Sequence, residues 1–242
     1  MSNNLLLELA NPVRMKILRK IAVEPGSAED MAQVVGTSIE EAEVGLDRLC
    51  SFKFAQKGAD GNYHASPLGH LALTTLADID FVSKHSEFFQ DHELSLLPSN
   101  LVSRLGELAE SRRMDGSVSN IQRVERVIRR SEGRVWAVTN EVMLDVVPVI
   151  REKVSQGADF RIIIDQTFKP PESFEATLPE LWRTVPKIPA MTVVTGSEAM
   201  LFFPNEKLEP DTSKAFASED PQFMKWCEDL VNHLWSVGHK LK

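Results

Sequence analysis

The chain has 242 residues, of which 43% are apolar and 26% charged, which is ordinary usage for two folded domains and excludes a largely disordered chain. It has no apolar run of about 18 residues that could span a bilayer and no signal-peptide pattern at its start, so we expect a cytoplasmic protein without a membrane partner. Its net charge of −8 excludes general binding to polyanions, because duplex affinity comes largely from neutralised phosphates, so any contact with DNA must be local.

Residues 4–75 are predicted to form a helical unit closed by a hairpin. Asn11 followed by proline predicts the start of a first helix. Ser27, with Asp30 three residues later, predicts a second helix with a capping box. Ser38, after a glycine turn, is expected to cap a third helix.

The hairpin is predicted from two short runs that are typical of strands, residues 52–56 and 62–65, on either side of a glycine-bearing loop at 57–61. The predicted order is helix, short helix, tight turn, helix and hairpin. This order is typical of a winged helix-turn-helix.

Three sequence segments resemble the DNA-binding half of archaeal ArsR-like regulators: NPVRMKILRKI, SAEDMAQVVGTS and GNYHASPLGHLAL. Two more, SEFFQDHELSLLPSNLVSRLGELAES and FASEDPQFMKWCEDLVNHLWSVG, are similar to the start and end of a methanogenesis-regulator-type effector domain. Together they extend over nearly the whole chain. The resemblance implies a ligand-responsive transcription regulator that binds double-stranded DNA as a homodimer and has no catalytic activity.

The rear of the chain is predicted to be an α/β domain. Residues 134–139 and 159–165 are predicted strands joined by a helix over 141–156, a spacing that favours a parallel pair. Residues 191–195 and 199–203 are predicted to form a hairpin. The terminal helix has an unbroken apolar stripe, which we expect to pack on the sheet as core; the alternative is a dimer interface. Its members are Phe223, Trp226, Cys227, Leu230, Val231, Leu234 and Trp235.

These patterns predict an α+β N-terminal winged helix-turn-helix over residues 1–76. A helical connector and the start of the effector domain follow over 77–133. Residues 134–242 are predicted to be an α/β ligand-sensing domain with a small mixed sheet and a long C-terminal helix. The proline-rich segment 169–189 is expected to be a surface connection with a short helix near 178–182.

The sequence offers no motif for catalysis or for a cofactor, since it contains no P-loop, GxGxxG, GxSxG or HExxH. The second domain also resembles, distantly, the phosphodiesterase-like folds of sugar-sensing archaeal regulators. Catalysis there would need a His-x-Lys pair followed by an aspartate, whereas His239 and Lys240 are adjacent with no aspartate after them. The helix of ArsR-type metal sensors that carries a Cys-x-Cys pair here reads Glu29-Asp30-Met31-Ala32. We therefore predict no enzyme, no cofactor and no metal.

Ligand binding is expected at the carboxyl ends of the parallel strands, where open α/β sheets form their crevices. Arginines are also concentrated between residues 104 and 134, and their guanidinium groups suit a small anionic effector, although ion pairs within the chain explain them equally well. The six candidate ligand-binding residues are Thr139, Asn140, Asp165, Gln166, Arg123 and Arg130.

The third helix is unusual for a DNA-reading helix. Its exposed face is predicted to carry Ile39, Glu40, Glu41, Glu43, Val44, Gly45 and Asp47, with Arg48 as its one cation. Carboxylates repel a phosphate backbone, although a glutamate can accept from a cytosine amine. The candidate DNA-binding residues are Thr37, Ser38, Glu41, Arg48, Lys53, Lys57, Asn62 and His64. The alternative is a winged-helix module that binds a protein and has lost direct DNA binding.

Overall fold

A computed structural model describes residues 5–140, 147–167 and 181–240. It divides into two compact units, Met1–Ala77 and Asp78–Lys242. Helix α5, Pro67–Lys84, begins in the first unit and ends in the second.

The first unit is a set of short helices followed by a two-stranded hairpin. Its elements are α1 (Leu5–Leu9), α2 (Pro12–Val23), α3 (Ala28–Val35), α4 (Ile39–Ser51), β1 (Ala55–Lys57) and β2 (Tyr63–Ala65). The three predicted caps are confirmed. The side chains of Asn11 and Ser38 accept hydrogen bonds from the first turns of α2 and α4, and Ser27 and Asp30 form the capping box of α3.

The turn between α3 and α4 depends on Gly36, whose φ of 75° lies in the left-handed region and ends α3. The far end of α4 has the same kind of ending without a glycine, because Lys53 adopts a φ of 65°. The backbone N–H of Lys53 donates to the carbonyl of Cys50, and that of Phe54 donates to the carbonyl of Leu49. These two bonds form a Schellman motif.

The predicted hairpin is present, but its first strand begins later than expected. β1 starts at Ala55 and pairs antiparallel with β2, with Ala55 opposite Ala65. The prediction of a strand from residue 52 was wrong because Phe52 and Lys53 complete the end of α4 instead.

The first unit buries one apolar core between α2, α3, α4 and the hairpin. Its completely or almost completely buried side chains are Ile17, Leu18, Ile21, Met31, Ala42, Leu46, Leu49 and Phe54. Gly45 lies where α2 and α4 are in close contact, since a Cβ there would lie 3.0 Å from Cδ1 of Ile17, which would have to shift slightly. The Ser66–Gly69 motif joins the hairpin to α5, because Ser66 donates to the carbonyl of Lys53 and accepts from the N–H of Gly69.

The second unit is built on a mixed sheet with helices on both faces. Its helices after α5 are α6 (Ser86–Gln90), α7 (Ser99–Val102), α8 (Ser117–Arg130), α9 (Val147–Ser155) and α10 (Pro221–Val237), with a 3₁₀ turn at Leu105–Leu108. Its strands are β3 (Arg112–Asp115), β4 (Arg134–Val138), β5 (Asp159–Asp165), β6 (Trp182–Val185), β7 (Met191–Thr195), β8 (Ala199–Phe202), β9 (Lys214–Ser218) and β10 (His239–Lys240).

The strand order is β10-β6-β5-β4-β7-β8-β9-β3. Strands β4, β5 and β6 are mutually parallel, and the remaining pairings are antiparallel. The predicted parallel pair and the predicted hairpin of β7 and β8 are thus confirmed. The carboxyl ends of three adjacent strands meet at one edge of the sheet.

Each face of the sheet carries its own core. On one face, α10 packs its stripe against β4, β7 and β8, and six of the seven predicted positions are buried, with Trp235 partly exposed. On the other face, α8 and α9 cover apolar side chains of β4, β5 and β7. The stripe of the terminal helix is therefore core.

Arginine and tryptophan side chains alternate where α10 lies beside β4, β5 and β6. The guanidinium carbon of Arg161 is 4.0 Å from the ring centre of Trp136 and 5.5 Å from that of Trp235. The guanidinium carbons of Arg134 and Arg183 lie 4.7 Å and 4.8 Å from the ring centres of Trp136 and Trp235, respectively. Cation–π contacts between these five side chains connect three strands to the terminal helix.

The prediction of a small sheet was wrong, because the sheet has eight strands among the described residues. β3 reads RRMD and β10 has two residues, so neither shows the alternation of a strand. The expected short helix near 178–182 falls largely outside the described residues, and Trp182 begins β6 instead. Within the segment 77–133, β3 joins the sheet and α8 packs on it.

Candidate functional site

The exposed face of α4 is acidic, as the sequence predicts. Glu40, Glu41, Glu43 and Asp47 are exposed, and between them Ile39 and Val44 are 45% and 64% exposed. The placement of Gly45 on this face was wrong, since Gly45 is buried against α2.

The one cation of this face is held by a carboxylate from another helix. Arg48 makes a two-pronged contact with Glu8 of α1, which also pairs with Arg14 of α2 at 3.2 Å. The Glu8 side chain is 6% exposed. The hydrogen bond from Arg48 holds the pKa of Glu8 below its usual value. Arg48 is therefore neutralised before any DNA phosphate could reach it.

The turn before α4 is occupied by hydrogen bonds of its own. The Thr37 hydroxyl donates to the carboxylate of Glu41, and the Ser38 hydroxyl accepts from the backbone N–H of Glu41 at 3.2 Å. Three of the candidate DNA-binding residues thus contact one another at the start of α4.

The hairpin supplies a different chemistry. Lys57 lies 5.0 Å from the ring centre of Tyr63, and His64 is 3.9 Å from Asp60. The amide of Asn62 donates to Asp60 at 3.0 Å, and hydrogen bonds from Asn62 keep the pKa of Asp60 low. Within the described part of the chain, neither Lys57 nor Lys53 makes an ion pair. Of the cations on α4 and the hairpin, Lys53 and Lys57 are thus exposed without an ion pair to described residues, whereas Arg48 of α4 is exposed but paired with Glu8.

The candidate ligand-binding residues of the second unit do not lie in one place. Asn140 and Asp165 line a cavity of about 50 Å³ at the carboxyl ends of β4 and β5, which we call the strand-end cavity. Thr139 lines a second, more apolar cavity of about 60 Å³ beneath α8. Gln166 is exposed, and its backbone N–H donates to the carbonyl of Val185.

The strand-end cavity includes residues that the sequence analysis did not select. Its further lining among the described residues is Lys187, Ile188, Ala190, Met191, Phe202, Pro204, Leu208 and Pro210. Lys187 follows β6, the third parallel strand, which the sequence analysis had assigned to a loop. Recognition of WRTV as a buried strand would have identified it, because the end of each parallel strand points to this edge.

Arg123 and Arg130 lie elsewhere, on a cleft between α8 and the β7–β8 turn. Arg123 pairs with Glu198 at 2.8 Å, and Glu219 also lines the cleft. Arg126 and Arg130 make no ion pair with described residues. With two carboxylates in the cleft, its net charge is only weakly positive.

Two further properties of the described residues concern metal ligands and membrane-spanning helices. In the described ranges, no group of three potential ligands is placed to hold a metal ion. No described helix is both long enough and apolar enough to cross a bilayer.

Burial raises the pKa of the Cys227 thiol to about 12, and it also raises the pKa of the Cys50 thiol.

Comparisons with known proteins reveal only distant likenesses. No family model and no curated protein matches the chain. The chain is similar to TrmBL2, an archaeal chromatin protein with a novel mode of DNA binding, with 12% identity, 99% of this chain and 100% of that chain covered, and a TM-score of 0.47. NucT from Helicobacter pylori is 7% identical, with 55% of this chain and 100% of that chain covered and a TM-score of 0.42. An IclR homolog from Microbacterium sp. strain HM58-2 is 11% identical, with 96% of this chain and 99% of that chain covered and a TM-score of 0.28. These likenesses are too distant to carry an argument about function.

Proposed function

We propose that this chain is a transcription regulator whose first unit is a winged helix-turn-helix that binds double-stranded DNA as a homodimer. The observation that carries the proposal is the placement of α4 and the hairpin. One face of α4 is completely buried on the core, while its other face and the loop of the hairpin are exposed. A helix and a wing presented together are what this fold uses to contact a duplex.

The wing is the better candidate for contact with phosphates. Lys53 and Lys57 are available there, and Asn62 and His64 add polar groups. The acidic face of α4 opposes close approach to a phosphate backbone. Residues 1–76 contain seven Lys and Arg against nine Asp and Glu, so binding depends on where the cations lie rather than on net charge.

Titration of a labelled duplex from the gene's own upstream region, followed by anisotropy at low salt, tests this proposal. We expect saturable binding that weakens in Lys57→Gln, with a salt dependence shallower by about one phosphate per chain. Lys16→Gln, which removes the same charge from the exposed side of α2, serves as the control. Flat curves at micromolar protein would defeat the proposal.

A second candidate function is docking of a basic protein on α4. Two exposed aliphatic side chains, Ile39 and Val44, lie among four carboxylates on that helix. Glu43→Lys separates the two functions. If α4 faces DNA, the reversal removes a repulsive charge and strengthens duplex binding, whereas a protein partner that recognises the acidic face is lost.

For the second unit, we propose a sensing role. The supporting observation is the strand-end cavity, since open α/β sheets bind ligands where the carboxyl ends of parallel strands meet. The addition of a bound ligand should change the affinity for the duplex by a measurable factor.

A further inference from the structure

We propose that the strand-end cavity binds a free α-amino acid with an apolar side chain. This inference rests on the proposed sensing role of the second unit and names the class of its ligand. Three polar groups and an apolar wall carry it.

The polar groups come from three consecutive parallel strands. Asp165 is the last residue of β5, while Asn140 and Lys187 each lie two residues beyond the ends of β4 and β6. Parallel pairing of these strands brings the three side chains to one cavity.

Each polar group has unused binding capacity. Asp165 uses Oδ1 to accept from the backbone N–H and the hydroxyl of Thr167, at 2.8 and 2.7 Å, while its Oδ2 has no hydrogen-bond donor among described residues. Oδ1 of Asn140 is buried and has no partner in the described ranges. Such a group costs free energy until a donor reaches it.

Lys187 is exposed at the rim and makes no ion pair with any residue the structure describes, Asp165 included. A cation and a carboxylate therefore face one cavity without neutralising each other. A purely anionic ligand would be repelled by Asp165, and a purely cationic one by Lys187. A zwitterion satisfies both, with its ammonium group at Asp165 and Asn140 and its carboxylate at Lys187.

The rest of the described wall is largely apolar. Ile188, Met191, Phe202 and Leu208 line the cavity, and Met191 and Phe202 also line the apolar cavity beneath α8.

Leu208 reaches this wall from a strained backbone. Its φ of 61° lies in the left-handed region, where a leucine is uncommon. The surrounding turn is held by Asn205, whose Oδ1 accepts from the N–H groups of Lys207 and Glu209 at 2.9 and 3.0 Å. Strain of this kind is concentrated at ligand sites.

Isothermal titration of the full chain with L-leucine, L-methionine and L-phenylalanine tests the inference without DNA. We expect at least one of these amino acids to bind saturably. An analogue of that amino acid without the ammonium group, or without the carboxylate, should bind at least about tenfold more weakly, because each charge-assisted contact is worth about that factor. For leucine the analogues are isocaproate and isoamylamine.

Lys187→Gln should weaken amino-acid binding by about tenfold while leaving binding of the amine analogue unchanged. Lys187 is exposed, so this substitution should leave the fold unchanged. Lys240→Gln, on the exposed edge strand β10, is the matched control. The inference is overturned if none of the three amino acids binds, or if an analogue lacking one charge binds as tightly. If the chain binds an amino acid but does not bind DNA, the proposed regulatory function is refuted and the proposed amino-acid site stands.

Discussion

Lys53 occupies a backbone position at which helices usually end with glycine. Its left-handed φ completes the Schellman motif of α4 and turns the chain into the hairpin. A side chain with a Cβ is strained there, so the choice of lysine over glycine lowers stability. The same lysine is one of the two cations that we assign to the DNA-contacting wing. At this residue, stability and binding favour different side chains.

Lys53→Gly should therefore raise the free energy of unfolding by about 0.5–1 kcal/mol, because relief of the strain exceeds the entropic cost of glycine. The same variant should bind DNA more weakly. Urea denaturation followed by circular dichroism and duplex titration measure the two effects. Lys53→Gln should show the loss of binding without the gain in stability, and a less stable glycine variant would contradict the strain.

Gly69 is required because the backbone at Phe54, just before β1, packs directly against it. A Cβ at this position would lie 2.2 Å from the carbonyl oxygen of Phe54, a backbone atom that cannot rotate away. We expect Gly69→Ala to lower the free energy of unfolding by about 2–3 kcal/mol. His70→Ala, an exposed neighbour, should change it by no more than about 0.5 kcal/mol. Denaturation curves of both variants decide the point.

At the scale of elements, Glu8 connects three helices. Its carboxylate, on α1, pairs with Arg14 of α2 and with Arg48 of α4. The two arginines are therefore part of the structure rather than part of a reading surface. Arg48, the one cation of α4, is therefore already paired although its side chain is 49% exposed.

Stability should depend on pH through Glu8. Because the pKa of Glu8 is lowered on folding, its contribution is present above the pKa of the unfolded chain and is lost as the pH falls through the folded pKa. Glu8→Gln should be less stable than the parent at neutral pH, and the difference should narrow in acid. Unfolding midpoints measured from neutral to acidic pH test this, and a constant difference would contradict it.

The elements that the sequence predicts are those that obey a local rule. The cap residues of α2, α3 and α4, the apolar run of β5 and the stripe of α10 all define their elements through neighbours along the chain. β3 and β10 have no such signal, because their pairing is set by strands distant in sequence.

The candidate site was only partly predictable for the same reason. Asn140 lies just after β4 and Asp165 ends β5, two strands with clear patterns, so the sequence predicts both positions. Lys187 follows β6, which lies between segments that gave no strand signal, and Leu208 enters through a turn. Conversely, Arg123 was selected for its charge, whereas its partner Glu198 is 75 residues further along the chain.

For the whole molecule, the shortage of free cations should appear in the salt dependence of DNA binding. With two lysines per chain contacting phosphates, a homodimer should show a slope of roughly −4 in log K against log salt, from about −0.9 per phosphate. Duplex titrations over a range of salt concentrations measure the slope. A value near twice that figure would contradict the wing-only contact and point to the unpaired arginines of α8.

The location of the tryptophans in the second unit provides an optical probe of that unit. The chain has four tryptophans and one tyrosine. Trp136, Trp182, Trp226 and Trp235 all belong to the second unit, and the tyrosine, Tyr63, belongs to the first. Intrinsic tryptophan emission therefore monitors the second unit alone, whereas ellipticity monitors both. Melting curves that coincide by the two optical signals would mean that the units lose their structure together, and curves that separate would resolve the order in which they melt.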